Sequence, residues 1–260
     1  MKVGAGRLAS GSTPRDRTPD TYDTIGRGYR RLRVADPRIA ARIRAALGDA
    51  RTVCNVGAGA GSYEPTGRRV VPVEPSKAML AQRPDGSGVR AVAERLPFED
   101  GAFDASLAVL TLHHWTDAVA GLREMMRVSR RQVVLTFELH QDFWLERDYI
   151  PALGAYWRDR LLSPAEAGRI LSATRIETVP IPWDCTDGFQ TAYWRRPERY
   201  LEAEVRAGIS TMALLPDREL ESGLRRLARD LETGEWARRY ATLLDRDAMD
   251  YGYRLLIAGR

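Results

Sequence analysis

Four short apolar runs, at residues 53–56, 70–73, 105–112 and 133–139, constrain this 260-residue chain more than any other feature. Each is rich in Val or Leu without clean alternation, the pattern of strands buried on both faces of a parallel sheet. Turns and helical segments separate them. Between the last two lies DAVAGLREMMRVSRR, where Val119, Leu122, Met126 and Val128 fall toward the sheet and the arginines toward water. Ahead of the first run, Asp36 and Pro37 open a helix as N-cap and first-turn proline, Ile39, Ile43 and Leu47 form its apolar stripe, and Gly48 closes it. This alternating order predicts an α/β fold built on a doubly wound, mostly parallel sheet. Pro72 lacks a ladder donor, so a local irregularity is expected in the second run.

The rhythm breaks after residue 139. Residues 140–162 are aromatic and irregular, Ser163-Pro164 starts a short helix leading to the strand-like RIETVPIP, and YGYRLLIAGR supplies a final strand. Residues 183–246 read as a mainly helical insertion, with Leu220, Leu224, Leu227 and Leu231 at helical spacing, expected to form a lid together with 140–162. The core is then 20–182 plus 247–260. Residues 1–19, rich in Gly, Ser, Pro and Arg, are expected to be flexible, and Gly4-Ala5-Gly6 there follows no strand.

Composition narrows the partners. Forty basic residues against 35 acidic leave a formal charge of +5, and the basic residues, all but two of them arginine, are interleaved with Asp and Glu. That mixing describes solvated helix faces and speaks against nucleic acid as a partner. Cys54 and Cys185 are far apart, with no CxxC or Cys/His spacing, so no metal framework is expected and reduced thiols point to the cytoplasm. No apolar run approaches the roughly 20 residues of a membrane span, so no membrane partner is expected.

The stretch VCNVGAGAGSYEP carries the chemistry. The first run ends in Gly57-Ala58-Gly59-Ala60-Gly61, where missing side chains let a ligand approach the main chain. Dinucleotides use G-x-G-x-x-G and a long helix aimed at the pyrophosphate. Here the sixth position is Ser62, and only residues 62–69, Pro65 among them, precede the next strand. A full helix does not fit. That disfavours a nicotinamide oxidoreductase and favours a nucleoside joined to an amino acid. Glu74, at the end of the second strand and before Pro75, can accept both hydrogen bonds of a ribose diol, a use common to both ligand classes.

These residues resemble class I S-adenosylmethionine-dependent methyltransferases, in particular the subgroup of quinone-biosynthesis and small-molecule enzymes. The resemblance runs from about Tyr22 to the C-terminal strand and is strongest between Val53 and Asp117. VCNVGAGAG, VVPVEPSKAML, AVAERLPFEDGAFDASLAVLTLHHWTD and MRVSRRQVVLTFE occur in that family's order, and YGYRLLIA is similar to its antiparallel last strand. The resemblance implies a seven-stranded Rossmann-like sheet, S-adenosylmethionine as cofactor and methyl transfer to a small organic acceptor. It also implies that Gly57, Ala58, Gly59 and Gly61 lie against the methionine part, Glu74 holds the ribose, Ala93 and Glu94 flank the adenine, and Leu110 and Thr111 border the sulfonium. Tyr22, Tyr29 and Arg33 resemble residues that close over the cofactor and meet its carboxylate. Two positions depart from the pattern: Asn55 and Val92 stand where the family often has an acid.

Methyl transfer from a sulfonium is an in-line displacement that needs alignment, with reacting atoms ~3–3.5 Å apart. A base matters for a hydroxyl or carbon acid and hardly for a free amine. His114 and His140, then His113, are the candidate bases, with Glu138, Asp142, Asp184 and Asp187 behind them. The aromatic groups Phe143, Trp144, Tyr149, Tyr156, Trp157 and Trp183, Phe189, Tyr193, Trp194, Tyr200 suit either lid packing or a pocket for an apolar or planar acceptor. A scaffold or rearrangement catalyst that keeps the cofactor pocket without methyl transfer is the alternative. A nucleic-acid methyltransferase is less favoured, since neither an Asn-Pro-Pro-aromatic tetrapeptide nor a Pro-Cys pair occurs.

Overall fold

The computed structural model describes residues 29–139, 142–158 and 161–259, and of residues 29 and 30 the backbone only. The elements begin with α1 (Tyr29–Leu32), α2 (Pro37–Ala46), β1 (Thr52–Val56), β2 (Arg69–Val73) and α3 (Lys77–Leu80). They continue through β3 (Phe103–Val109), α4 (Ala118–Val128), β4 (Ser129–Phe137), α5 (Pro151–Trp157), α6 (Pro164–Leu171), β5 (Arg175–Thr178) and β6 (Ile181–Pro182). A helical stretch follows, α7 (Ala203–Gly208), α8 (Ser210–Leu214), α9 (Asp217–Glu232), α10 (Glu235–Arg239) and α11 (Ala241–Leu244), before β7 (Ala248–Met249) and β8 (Tyr253–Gly259). None of these helices is long and apolar enough to cross a membrane.

Six strands form the central sheet in the order β2-β1-β3-β4-β8-β5. The pairs from β2 to β4 are parallel, and β8 runs antiparallel to both β4 and β5. The expected antiparallel last strand YGYRLLIA is β8, and among the described residues the sheet has six strands where seven are expected. Beyond β2 Val89 makes a single parallel bridge to Val73, while β6 and β7 pair separately. The irregularity expected at Pro72 does not occur: β2 keeps register with β1 throughout. The reason is its edge position. The Pro72 carbonyl points outward and accepts the Val89 N–H at 2.8 Å, so the missing donor faces the same side and breaks no bond to β1.

Strand periodicity sorts the core into two layers. Val53, Leu107, Val133, Leu135, Leu255 and Ile257 face the layer that contains α2 and core residues between 143 and 153 and between 179 and 240. Their neighbours Cys54, Val56, Ala108, Val134, Leu256 and Ala258 face α4 and α6. Asp36 caps α2 by accepting the Arg38 N–H, and Ile39, Ile43 and Leu47 are buried beneath it. On α4 the buried stripe is Gly121, Leu122, Met125 and Val128, so Met125 faces the sheet where Met126 is expected; Met126 is 39% exposed. A helix advances 100° per residue, and Met125 lies one turn from both Leu122 and Val128. Residues 57–68 form turns without a helix, as their number dictates.

Candidate functional site

At the carboxyl end of β1 the chain enters three left-handed glycines, Gly57, Gly59 and Gly61, with φ of 69°, 52° and 90°. The Gly57 and Ala58 N–H groups both donate to the Val73 carbonyl, at 2.9 and 3.0 Å, which locks the corner to the end of β2. A Cβ on Gly57 would sit 2.1 Å from Thr111 Oγ1, so this glycine is needed by its neighbour as well as by its φ. The contact also brings the end of β3 against the glycine corner. Leu110 there has φ 51°, a left-handed conformation that costs a branched side chain ~1–2 kcal/mol.

Glu74 lies where the sequence places it. Its Oε2 accepts the Gly59 N–H at 2.9 Å and its Oε1 the Ser76 N–H at 3.0 Å, and the side chain is buried. Both oxygens are anchored by backbone N–H groups, and an anchored acid beside a side-chain-free corner fits a ribose diol. The departure at Asn55 is partly compensated. Its Nδ2 donates to Glu64 Oε1 at 3.0 Å, and Glu64 in turn receives two bonds from buried Arg83, at 3.0 and 2.7 Å. The carboxylate missing from β1 therefore sits one side chain further out, paired with a cation. Pro75 accepts Arg90 Nε at 3.1 Å, Ala93 is buried against Gly121 and Trp115, and Glu94 Oε1 accepts the Asp117 N–H that opens α4.

Arg33 is fixed in place: its Nε and Nη2 donate to buried Asp187 at 2.5 and 3.3 Å. Ser62, the residue that breaks the dinucleotide pattern, donates to the Arg33 carbonyl at 2.6 Å. Tyr29 is described only as the first backbone position of α1, and Tyr22 and His140 lie outside the described residues.

Next to Leu110 opens a cavity whose empty space, the open solvent at its mouth included, is about 640 Å³. His113, His114, Phe137, Phe143, Trp157, Phe189, Tyr251 and Tyr253 form much of its wall, with Arg33, Glu138, Glu146 and Gln190 among the polar members. The His113 ring centre lies 3.9 Å from that of His114, 5.1 Å from Phe137 and 4.8 Å from Trp157. Of the other acids considered, Glu138 reaches the wall but pairs with Arg254, Asp142 is exposed, Asp184 pairs with Arg38 and Asp187 with Arg33. The aromatic residues divide. Phe143, Trp157 and Phe189 line the cavity, whereas Trp144, Tyr149, Trp194 and Tyr200 pack away from it, Trp144 donating to the Trp194 carbonyl at 2.8 Å.

One wall residue escapes sequence reasoning. Glu146 lies in a π-helical turn, Leu145–Tyr149, a rare element frequent at functional sites. Burial pushes its carboxyl up to about 7, opposed by the hydrogen bond from Gln190 Nε2 at 2.5 Å. The signal in FWLERDY is faint: one acid in an aromatic run.

The comparisons with known proteins agree with this geometry. Residues 53–137 match a family model described as a methyltransferase domain. A crystal structure from Anabaena variabilis, described as a methyltransferase from an antibiotic biosynthesis pathway, is 35% identical, with a TM-score of 0.81 over 88% of this chain and 100% of that one. This chain belongs to the class I S-adenosylmethionine-dependent methyltransferases. Demethylmenaquinone methyltransferase of Beutenbergia cavernae is 45% identical over 75 residues, a match that spans 26% of this chain and 31% of that protein. Geranyl diphosphate C-methyltransferase of Streptomyces coelicolor, solved with S-adenosyl-L-homocysteine, is 18% identical with a TM-score of 0.51 over 86% of this chain and 78% of its own, a likeness of fold. The methyltransferase cofactor is S-adenosylmethionine, and the match covers the glycine corner, Glu74 and the Leu110-Thr111 edge.

Proposed function

We propose that this methyltransferase moves the methyl group to a small, largely apolar or planar organic acceptor held in the cavity beside Leu110, under a lid formed by residues 183–246 with 140–162. The observation that carries the reading is the contact of Thr111 with Gly57, which sets the glycine corner and the acceptor cavity end to end at Leu110. Bound S-adenosylmethionine supplies an already activated methyl group. Gly57, Ala58, Gly59 and Gly61 offer bare main chain to the methionine part, Glu74 with Pro75 the ribose site, and Ala93 and Glu94 the walls of the adenine site. Arg33, fixed by Asp187, and Tyr29 and Tyr22 before it close the crevice on the amino-terminal side. His113 and His114 stand in the cavity wall next to the Leu110-Thr111 edge, placed to orient the acceptor or take its proton. Nucleic acid and membranes are not partners in this reading, and the setting is cytoplasmic.

Calorimetry with S-adenosylhomocysteine and NAD tests the crevice, and transfer of labelled methyl to a panel of small phenols, amines and carbon acids tests the reaction. We expect binding of the first ligand only and methylation of at least one acceptor class. Binding of NAD in preference, or cofactor binding with no transfer to any class, would overturn it.

A further inference from the structure

The geometry points to Glu146 as the group that takes the proton from the methyl-accepting atom, and to an acceptor that presents a weakly acidic O–H on a planar apolar body. This rests on the methyltransferase reading and names its base and substrate class. Glu146 shares the cavity with Leu110, whose neighbour Thr111 touches the glycine corner, so the cavity that holds the carboxylate adjoins the donor crevice at Leu110. The titratable or charged side chains in that wall are Arg33, His113, His114, Glu138, Tyr251 and Tyr253. Arg33 is spent on Asp187 and Glu138 on Arg254, and burial raises both tyrosine hydroxyls, which keeps them protonated. The His113 ring is packed among three other rings, a fit for wall and less for proton transfer. Glu146 by contrast is a half-buried carboxyl raised to about 7, where a general base works best near neutral pH.

Gln190 adds the class of substrate. Its Nε2 holds Glu146 Oε1, while its own Oε1 is buried with no partner among the described residues. Glu146 Oε2 lies against Gly154 of α5, and the Gln190 amide oxygen is an acceptor without a partner among the described residues, so the bound molecule must bring a donor. A hydroxyl brings one proton for one carboxylate oxygen, and a planar body meets the aromatic members of the wall; an ammonium would add a second cation to a wall that already holds Arg33. In the step, a lone pair on the hydroxyl oxygen forms the bond to the methyl carbon as its proton passes to Glu146. The carbon–sulfur bond breaks with its electrons kept by sulfur, and the carboxyl returns the proton to water.

The test uses the whole protein saturated with S-adenosylhomocysteine, 2-naphthol as probe and phenethylamine as its cationic counterpart. Infrared difference spectra of the wild type should show a carboxylic acid band that titrates near pH 7, shifts when 2-naphthol binds, and is missing from Glu146→Gln. With S-adenosylmethionine, Glu146→Gln should slow single-turnover methylation of 2-naphthol at least ~100-fold and flatten its rise around pH 7. Glu146→Asp, which keeps the charge but withdraws it by one methylene, should fall between. S-adenosylhomocysteine affinity should stay within about two-fold in both variants. A band that 2-naphthol leaves unmoved, no binding of 2-naphthol, tighter binding of phenethylamine, or full turnover by Glu146→Gln would overturn the inference while the cofactor still binds. Loss of cofactor binding by the wild type would instead sink the methyltransferase reading beneath it.

Discussion

The donor crevice and the acceptor cavity meet at Leu110 and Thr111, yet they are built in opposite ways. The crevice is assembled from consecutive turns at the ends of β1 and β2, where backbone groups do most of the work: N–H groups of Gly57, Ala58, Gly59 and Ser76 are all used to fix it. The cavity draws its wall from positions as distant as Arg33 and Tyr253, and its chemistry lies in side chains. A site of the first kind tolerates almost no change at a few positions. A site of the second kind can be altered residue by residue, with the fold intact.

The sharpest way to break this contrast is at Gly57. Gly57→Ala must relieve a Cβ contact of 2.1 Å with Thr111 as well as a φ of 69°, whereas Gly67→Ala meets nothing within 4 Å at a φ of 75°. We expect the first to cost at least ~3 kcal/mol and remove S-adenosylhomocysteine binding, and the second to cost ~1–2 kcal/mol with binding kept. Urea unfolding and calorimetry read both. Equal effects at the two sites would show that the corner is not specially crowded.

In the cavity the corresponding change is expected to stabilise. The Glu146 carboxyl is raised from the usual 4.5 to about 7, so the folded chain holds this proton more tightly than the unfolded chain. Its contribution is therefore fully present below about pH 4.5 and is lost as pH rises through 7. Glu146→Gln removes that loss. At pH 8.5 the variant should be more stable than the wild type by on the order of 3 kcal/mol, with the gap closing toward pH 4.5. A pH-independent difference in urea unfolding would mean that no buried charge is involved.

Smaller effects sharpen the boundary between the two halves. Glu74→Gln keeps the shape of the acid and loses its charge, so S-adenosylhomocysteine affinity should fall by ~10–100-fold, the range of a charged hydrogen bond. NMR or calorimetry with adenosine alone should show the same fall, since the ribose and not the methionine end is affected. His113→Ala and His114→Ala are expected to lower turnover less than ~10-fold and leave cofactor affinity alone. A loss of ~100-fold or more at either would move the base from Glu146 to that histidine.

How far each half could be foreseen follows from the same contrast. The strand-helix order, the cap at Asp36 and Pro37, the absence of a helix after the glycines and the position of Glu74 are all local patterns, and the structure has them. Even there, contacts across the sheet decided details. Edge position made Pro72 harmless, and α4 presented Met125 rather than Met126. In the cavity, composition pointed to aromatic residues but could not divide them: Phe143 joins the wall while its neighbour Trp144 turns to Trp194 and Tyr200. Arg33 is held by Asp187, 154 positions away, a pairing that no local pattern announces.

From the amino-acid order alone come the α/β core, the bare corner and the acid beside it, because turns, caps and strand periodicity depend on residues within a few positions of one another. Which side chains line the cavity, and that Glu146 is a half-buried carboxyl in a π-turn next to Gln190, were settled only by tertiary packing. Burial and pairing are properties of the neighbours a residue meets in space, and for this wall those neighbours lie tens to hundreds of positions away.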